Sequence, residues 1–240
     1  MSLKRHPMHI PTQSLPMYHF SYRTLSLIRS VMTLSVLAIL TACVAPPKPY
    51  DYTALRASRP ASLLVLPPVN ESPDVKATYS VLAQATLPLA EAGYYVLPVS
   101  LVDEALRENG MTTPADIHAI DFAKLRSTFG ADAAVYMTIK RYGASYNVVS
   151  GDAVVTLEAK VIDLRDGKLL WDGAATASTA EGQSAQGGLV GLLVRAVVSQ
   201  ILNTATEASH RVAGIASYRL LSPRPANGLL PGPRSPNYTP

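Results

Sequence analysis

The spacing of hydrophobic positions changes along the chain, and each change predicts a different kind of element. A continuous apolar run at residues 61–67 predicts a buried first strand. Ser72 and Pro73 are typical of a helix start, and Gly93 ends the helix that they predict. The apolar residues 94–97 predict a second strand directly afterwards. This part of the chain is therefore predicted to be a β-α-β unit.

Helical signals continue after the second strand. Ser100 with Asp103 resembles a capping box, and residues 109–110 (Asn-Gly) close the helix that it opens. Residues 113–116 (TPAD) predict another helix start, and a short helical stretch follows as far as Gly130. These helices extend the first unit to β-α-β-α.

The second half of the chain changes to a period of two. Apolar residues alternate with polar or aromatic ones over residues 135–140 and again over 155–161. Asp166 and Gly167 form a strong hairpin-turn signal, which leads into a third run at residues 168–171. The pattern predicts a three-stranded antiparallel meander with one face exposed to solvent.

A long final helix is predicted over residues 183–212, and its first half is apolar on nearly every side. One interpretation is membrane insertion, which the spacing of Gly187 and Gly191 would aid. The apolar run is about 16 residues, shorter than a bilayer span requires, and Arg195 lies in its middle. Burial in the fold or against a second subunit is favoured, and the width of the apolar surface favours a homodimer. The predicted interface residues are Leu189, Leu192, Leu193 and Val197.

The order of these elements predicts an α+β fold, α/β-like in its first half. A mixed sheet combines the N-terminal β-α-β-α unit, the C-terminal antiparallel meander and the long final helix. We assign this single domain to residues 61–221. Residues 43–60 are predicted to be a proline-bearing tether. Residues 222–240 contain six prolines and two glycines, and we predict that they form a disordered tail.

The chain has one cysteine, Cys43, which cannot form an internal disulfide. The apolar residues 31–40 precede it and follow Arg23 and Arg29, which is the layout of a secretory signal. The sequence Leu40-Thr41-Ala42-Cys43 resembles a bacterial lipobox. This resemblance implies cleavage before Cys43, with fatty acyl chains such as palmitate on its sulfur and on the new amino group. The alternative is an ordinary signal peptide with an incidental cysteine.

The lipobox interpretation divides the chain into a signal peptide at residues 1–42 and a protein anchored through Cys43. Two or three acyl chains hold a protein at a membrane firmly, because each buried methylene contributes about 0.8 kcal/mol. Val44 stands where an aspartate typically retains bacterial lipoproteins in the inner membrane. We therefore expect the protein at the outer membrane.

The excess of basic over acidic residues in the whole chain comes entirely from the leader. The leader holds four of the 21 basic residues and none of the 17 acidic ones, so that the chain after Cys43 carries 17 of each. No basic stripe survives cleavage, and no DNA-binding or RNA-binding motif is present. We therefore predict no nucleic-acid partner.

No residue pattern in the sequence indicates catalysis, a metal or a cofactor. Phosphate-binding glycine loops and the GxSxG motif are absent, and neither His118 nor His210 has a partner at metal-ligand spacing. We predict that the protein is not an enzyme. Asn70 and Glu71, in the loop after the first strand, are a candidate contact for a protein partner. A second candidate interface is an aromatic and basic strand face, whose residues are Tyr136, Lys140, Arg141, Tyr142 and Tyr146.

Long blocks of the sequence resemble a family of bacterial lipoproteins, domain-of-unknown-function family 799, which includes a meningococcal surface lipoprotein. The blocks are LAEAGYYVLPVSLVDEALRENG, GADAAVYMTIKRYG and VTLEAKVIDLRDGKLLWDG, together with the stretch from residue 50 to 79. The resemblance implies a domain like the amino-terminal domain of TolB and like curli-pore-type lipoproteins, and it implies a homodimer. A non-catalytic accessory of an envelope secretion or transport system, with a pore-type secretion lipoprotein as partner, is the function expected. The alternatives are a self-contained surface homodimer or scaffold and, less favoured, an unrecognised envelope hydrolase.

Overall fold

The computed structural model describes residues 49–147, 150–183, 205–224 and 227–239. The helices in this part of the chain are α1 (Thr53–Ser58), α2 (Ala77–Glu91), α3 (Val99–Glu108), α4 (Pro114–His118), α5 (Phe122–Phe129) and α6 (Ala205–Leu221). The strands are β1 (Ser62–Val65), β2 (Val69–Asn70), β3 (Tyr95–Val96), β4 (Ala133–Asn147), β5 (Ser150–Asp163) and β6 (Leu169–Ser178). A short 3₁₀ helix follows β6 at Thr179–Gln183.

One mixed sheet organises these elements in the order β3-β1-β4-β5-β6, with β2 beside β4. The strand β1 is parallel to both of its neighbours, β3 and β4. From β4 onwards the strands form an antiparallel meander. The α+β fold with a mixed sheet and a C-terminal helix, predicted from the sequence, is therefore confirmed.

The continuous apolar run of β1 is explained by burial on both of its faces. Leu63 and Val65 point into a core beneath α2 and α6, whereas Leu64 and Leu66 point into a second core beneath α3, α4 and α5. All four side chains have no exposed surface. Burying each of them contributes about 1.5–3 kcal/mol relative to leaving it exposed, so β1 ties the two cores together.

Helix boundaries follow the local signals in some places and not in others. Thr113 caps α4, and its hydroxyl accepts a hydrogen bond from the backbone N–H of Asp116, as the sequence predicts. The helix α2 begins at Ala77 and not near Ser72, because side chains form local turns first. The Asn70 Oδ1 accepts from the Ser72 N–H, and the Asp74 Oδ1 accepts from the Lys76 N–H. Likewise α3 begins at Val99, one residue before the predicted cap Ser100.

The final helix differs from its prediction. The described helix α6 runs to Leu221, nine residues beyond the predicted end at Val212. It packs on α2, where Ser80 Oγ lies 2.8 Å from His210 Nδ1. Residues 184–204, which belong to the apolar half of the predicted helix, lie outside the described residues.

The segment expected to be a tether is partly folded. Residues 53–58 form α1, and Leu55 is only 4% exposed in the core beneath α2 and α6. The Tyr50 hydroxyl donates to Asp172 Oδ1 at 2.6 Å, and the rings of Tyr50 and Tyr52 lie 4.9 Å apart. The domain therefore begins at Tyr50, because these aromatic and apolar side chains find partners on β6 and in the core.

The expectation of a disordered tail also differs from the structure. Residues 227–239, which we call the tail segment, pack along the ends of α2, β3 and β6. Leu229 is 1% exposed, and the N–H groups of Gly232 and Arg234 donate to the carbonyl groups of Ala92 and Gly93. Composition alone suggests disorder, yet prolines also restrict the unfolded chain and so lower the entropic cost of ordering the segment.

The tail segment closes over the N-terminal residues of the domain. The Tyr50 N–H donates to Asn227 Oδ1 at 3.0 Å, and the Tyr52 hydroxyl donates to the Gly228 carbonyl. The indole N–H of Trp171 donates to the Asn227 carbonyl at 3.2 Å. Residues at the two ends of the domain are thus held side by side against β6.

Candidate functional site

Within the part of the chain that the structure describes, one of the two faces of the meander is largely uncovered. Its inward positions, such as Met137, Leu157 and Trp171, are buried against the layer of α2 and α6. On the opposite side, α3, α4 and α5 pack over β1 and the start of β4, but not over β5 and β6. We call the uncovered area the open sheet face. Its residues are Tyr136, Thr138, Lys140, Thr156, Glu158, Lys160, Ile162, Asp172, Ala174 and Thr176.

A groove of about 820 Å³ lies on the open sheet face. Its walls carry both signs of charge, with Lys140 and Lys160 beside Glu158 and Asp172. Farther along β5 and β6 the Thr156 and Thr176 hydroxyls lie 3.0 Å apart and hydrogen-bond to each other. The face is thus polar and half-exposed, with small side chains between the charged ones.

Lys140 connects this face to the loop that follows β1. Its Nζ lies 2.9 Å from Oε2 of Glu71 and 3.8 Å from Oε2 of Glu158. The hydrogen bond that it donates to Glu71 raises the pKa of the Lys140 ammonium, and the charge of Glu158 adds to the effect. All three groups are exposed to solvent, so this network contributes little to stability and remains available to a partner.

A β-bulge at Lys140 changes which residues share the open sheet face. The register of β4 and β5 shifts between Ile139 and Arg141, so that β4 holds an extra residue there. Tyr142 consequently turns to the buried face, where it is 5% exposed and its hydroxyl donates to Ser80 Oγ at 2.8 Å. The interpretation that placed Tyr142 on an exposed aromatic face is therefore wrong. The side chain of Tyr146 lies outside the described residues.

His118 and Tyr136 form one end of the groove. The His118 Nε2–H donates to the Pro67 carbonyl at 3.0 Å, and its ring meets the Tyr136 ring edge-on at 5.1 Å. Burial lowers the pKa of His118, and the hydrogen bond to Pro67 opposes that effect only in part. Burial likewise raises the pKa of Tyr136. Both rings are therefore uncharged at neutral pH and present a rigid, amphipathic wall.

The two loop residues predicted as a partner contact have different surroundings. Asn70 uses its side chain inside the loop, because Nδ2 donates to the Asp74 carbonyl at 2.8 Å and Oδ1 accepts from Ser72. Glu71 is half-exposed beside Lys140, at the rim of the open sheet face. A role for either residue in binding a partner stays a prediction, and Glu71 is the better placed of the two.

Several predicted residues lie outside the described part of the chain. They are the cleavage-motif residues Leu40, Thr41 and Ala42, the anchor Cys43, and the interface residues Leu189, Leu192, Leu193 and Val197. Among the residues that the structure does describe, no three His, Cys, Asp or Glu side chains form a cluster able to hold a metal ion. Nor does that part of the chain contain a helix long and apolar enough to cross a bilayer.

Sequence reasoning did not identify the open sheet face as a unit. The alternation in β4 and β5 indicated one exposed face, but nothing local showed that α3, α4 and α5 would cover only the β1 side of it. The spacing of Glu71 and Lys140 in the sequence also gave no sign of their ion pair. Their contact depends on the parallel pairing of β2 with β4, in which Asn70 lies opposite Ile139.

Comparisons with known proteins agree on one group. The model of the family described as "Putative lipoprotein GNA1162-like" matches residues 50–234. The protein named "Putative lipoprotein NMB1124/NMB1162", from Neisseria meningitidis serogroup B, is 45% identical over 205 residues, which is 85% of this chain and 95% of that protein. The match thus spans almost the whole of the relative and nearly all of the domain described above.

The solved structures that are similar to this chain include three with TM-scores below 0.5. The crystal structure of lipoprotein GNA1162 from Neisseria meningitidis has 47% sequence identity and a TM-score of 0.48, covering 60% of this chain and 100% of that one. The PelC dodecamer from Paraburkholderia phytofirmans has 14% identity and a TM-score of 0.42, covering 72% and 92%. The LpoB C-terminal domain from Salmonella enterica has 18% identity and a TM-score of 0.36, covering 48% and 81%.

Proposed function

Because the chain belongs to the GNA1162-like lipoprotein family, we propose that it is a lipid-anchored protein of the bacterial envelope that binds protein partners and does not catalyse a reaction. In this proposal Cys43 carries the acyl chains at the outer membrane. The domain serves as an accessory to a secretion or transport assembly, and a pore-type secretion lipoprotein is the partner that we expect.

The distance between anchor and domain supports a role close to the membrane. The domain begins at Tyr50, so residues 44–49 are the whole linker after Cys43. Six fully extended residues reach about 20 Å. A partner of the domain must therefore also lie at the membrane surface, as the components of an envelope assembly do.

The open sheet face is the observation that carries the proposal of protein binding. Three strands spaced about 4.8 Å apart give a strip about 10 Å wide, which is the diameter of one helix. On the same side of the sheet, α3, α4 and α5 already cover the neighbouring strand β1. A helix or extended segment of a partner fits the uncovered strip. The mixed charges of Lys140, Glu158 and Lys160 and the ring of Tyr136 suit a specific polar interface.

Affinity purification of the full lipoprotein from detergent-solubilised envelopes tests this proposal. Ala174 is exposed on the open sheet face, and Ala83 is exposed on α2 in the opposite layer, so Ala174→Arg and Ala83→Arg are matched variants. We expect a pore-type lipoprotein to co-purify in constant ratio with the wild type and with Ala83→Arg, and to be lost with Ala174→Arg. Equal recovery with both variants would show that the open sheet face is not the binding surface.

A separate measurement tests the anchor. If Cys43 is lipidated, Cys43→Ala should move the protein out of the membrane fraction. If the cysteine is incidental, the same substitution should leave the amount of protein in the membrane fraction unchanged. Fractionation of envelopes by density also checks the outer-membrane location. Retention of Cys43→Ala in the membrane fraction at the wild-type level would refute lipid anchoring.

One observation favours a self-contained homodimer as a second candidate. The outer surface of the α2 and α6 layer exposes Leu87, Ile215 and Tyr218, at 61%, 47% and 52% of their surface. A second copy of the protein could cover these apolar side chains by packing its own α2 and α6 layer against them. Light scattering on the purified protein distinguishes the two candidates, because a homodimer forms without any other component and Leu87→Arg should dissociate it.

A further inference from the structure

The domain has two distinct ends along the strand direction. One end contains the start of β1, the hairpin turn between β5 and β6, and the C-terminal ends of α2 and α6. Tyr50, α1 and the tail segment are all packed there. We call this the anchor end, because the chain that leads to Cys43 leaves the domain at Tyr50. The loop at Glu71 and the N-terminal end of α2 lie at the opposite end.

Four arginines surround the tail segment at the anchor end. They are Arg56, Arg59, Arg224 and Arg234. Among the described residues none of them has a carboxylate within ion-pair distance, whereas Arg165 and Arg219 are paired with Asp163 and Glu181. Free guanidinium groups are strong and often bidentate donors to phosphate oxygens. The anchor end therefore holds four exposed guanidinium groups without a carboxylate partner among the described residues, of which Arg59 donates its Nε–H to the Arg56 carbonyl.

The acidic residues of the same end are mostly engaged within the protein. Asp132 accepts three hydrogen bonds from Ala61 and Ser62, Asp163 binds Arg165 and Ser58, and Asp172 binds Tyr50. Asp51 accepts from the backbone and hydroxyl of Thr53. Glu91 is an exposed acid beside the tail segment. Internal hydrogen bonds thus bury Asp163 and partly engage Asp132, whereas Asp51, Asp166 and Asp172 stay exposed at this end together with the four arginines.

Aromatic side chains accompany the arginines. The Arg234 guanidinium lies over the Tyr95 ring at 5.1 Å from its centroid, and Tyr95 is 46% exposed. Tyr238 and two prolines, Pro231 and Pro233, lie next to Arg56 and Arg59. Exposed tyrosine combined with arginine is typical of surfaces that rest at the level of lipid headgroups.

We infer that the anchor end is a docking surface for the phosphate headgroups of anionic lipids, which holds the domain in one orientation on the bilayer. The inference rests on the proposed anchor at Cys43. Residues 44–49 can reach at most about 20 Å from Cys43 to Tyr50, so the end of the domain that contains Tyr50 stays close to the headgroups and even weak contacts are occupied. In this orientation Glu71 and the adjoining end of the open sheet face point away from the membrane, toward a partner.

The test uses the full lipoprotein, purified in detergent and reconstituted into vesicles. One set is phosphatidylcholine alone, and the other contains about 30% phosphatidylglycerol, enough to attract a polybasic surface. Acylated Cys43 leaves no free thiol, so Asn237→Cys at the anchor end and Val75→Cys at the opposite end each introduce one labelling site for a fluorophore. Headgroup spin-labelled lipids then quench a fluorophore that lies at the membrane surface.

We expect at least twofold stronger quenching at position 237 in the anionic vesicles than in the neutral ones, and little quenching at position 75 in either. Replacing the four arginines by glutamine should abolish the difference. A matched variant with four other exposed cations replaced, at Lys76, Arg107, Lys124 and Arg211, should retain it. Equal quenching at position 237 in both vesicles, or stronger quenching at position 75, overturns the docking surface.

Flotation with vesicles shows, independently of the quenching, whether the lipid anchor at Cys43 has failed. Lipidated protein floats with the phosphatidylcholine vesicles whatever the arginines do. Protein that floats with neither vesicle overturns the anchor and, with it, the docking inference. Flotation without dependence of quenching on lipid charge overturns the docking surface alone and leaves the anchor intact.

Discussion

Leu229 provides the sharpest test of the packed tail segment. Its side chain is 1% exposed and belongs to the core beneath α2 and α6, although it lies in a stretch whose composition suggests disorder. A buried Leu→Ala substitution costs about 2–5 kcal/mol, from lost transfer free energy and the cavity left behind. The cost at Leu229 should fall in the lower part of that range, about 2–3 kcal/mol, because the segment can undock locally without unfolding the sheet.

The assay is urea or thermal unfolding of Leu229→Ala, with Leu101→Ala as the matched control. Leu101 is 67% exposed, so its substitution should change the free energy of unfolding by about 0.5 kcal/mol or less. For a domain of this size, 2–3 kcal/mol lowers Tm by about 4–12 °C. The sole tryptophan, Trp171, reports on the same region, because its indole donates to Asn227 and its emission should shift to the red if the segment undocks. Equal stability and equal emission of the two variants would refute the packing.

Two further predictions concern the same end of the domain. Burial alone raises the pKa of Asp163, but hydrogen bonds from Arg165 and Ser58 outweigh it and hold the pKa at about 2, against 3.8 in the unfolded chain. Asp163 therefore contributes about 2 kcal/mol above pH 4, which is lost as the pH falls from about 4 to 2. Asp163→Asn should lower stability at pH 7 and flatten the decline below pH 4 in urea titrations, and parallel curves for the two proteins would contradict this. Gly232→Ala places a Cβ 2.7 Å from the Gly93 carbonyl oxygen. It should speed tryptic cleavage in the tail segment relative to Asn237→Ala, and an unchanged cleavage rate would argue against the close approach.

Elements with strong local signals could be predicted from the sequence. The apolar run of β1, the Thr113 cap of α4 and the alternation in β5 each depend on neighbours a few residues away. The Asp166-Gly167 turn is also found, although Asp163 and Lys168 close a longer loop than a two-residue turn, with Gly167 in the left-handed region. Local chemistry therefore sufficed for these elements, whereas α1 and the short strand β2 were not predicted.

Features that depend on distant residues could not be predicted. The tail segment is ordered through contacts with Tyr52, Tyr94 and Trp171, far away in the chain. No sequence window contains both partners, so proline content alone suggested disorder. The bulge at Lys140 was likewise hidden, because an extra residue in a strand leaves both flanking alternations intact and shows only in the pairing with β5.

The hydrogen bond between Tyr50 and Asn227 also determines the order in which parts of the domain fold during synthesis. The two residues are separated by 177 positions, so their contact forms only when almost the entire chain has emerged. Until then Tyr50 and Tyr52 lack their contacts with Asn227 and Gly228, and the entropic cost of closing so large a loop slows this final step. The last residues of the domain to be made therefore complete the docking of its first residues.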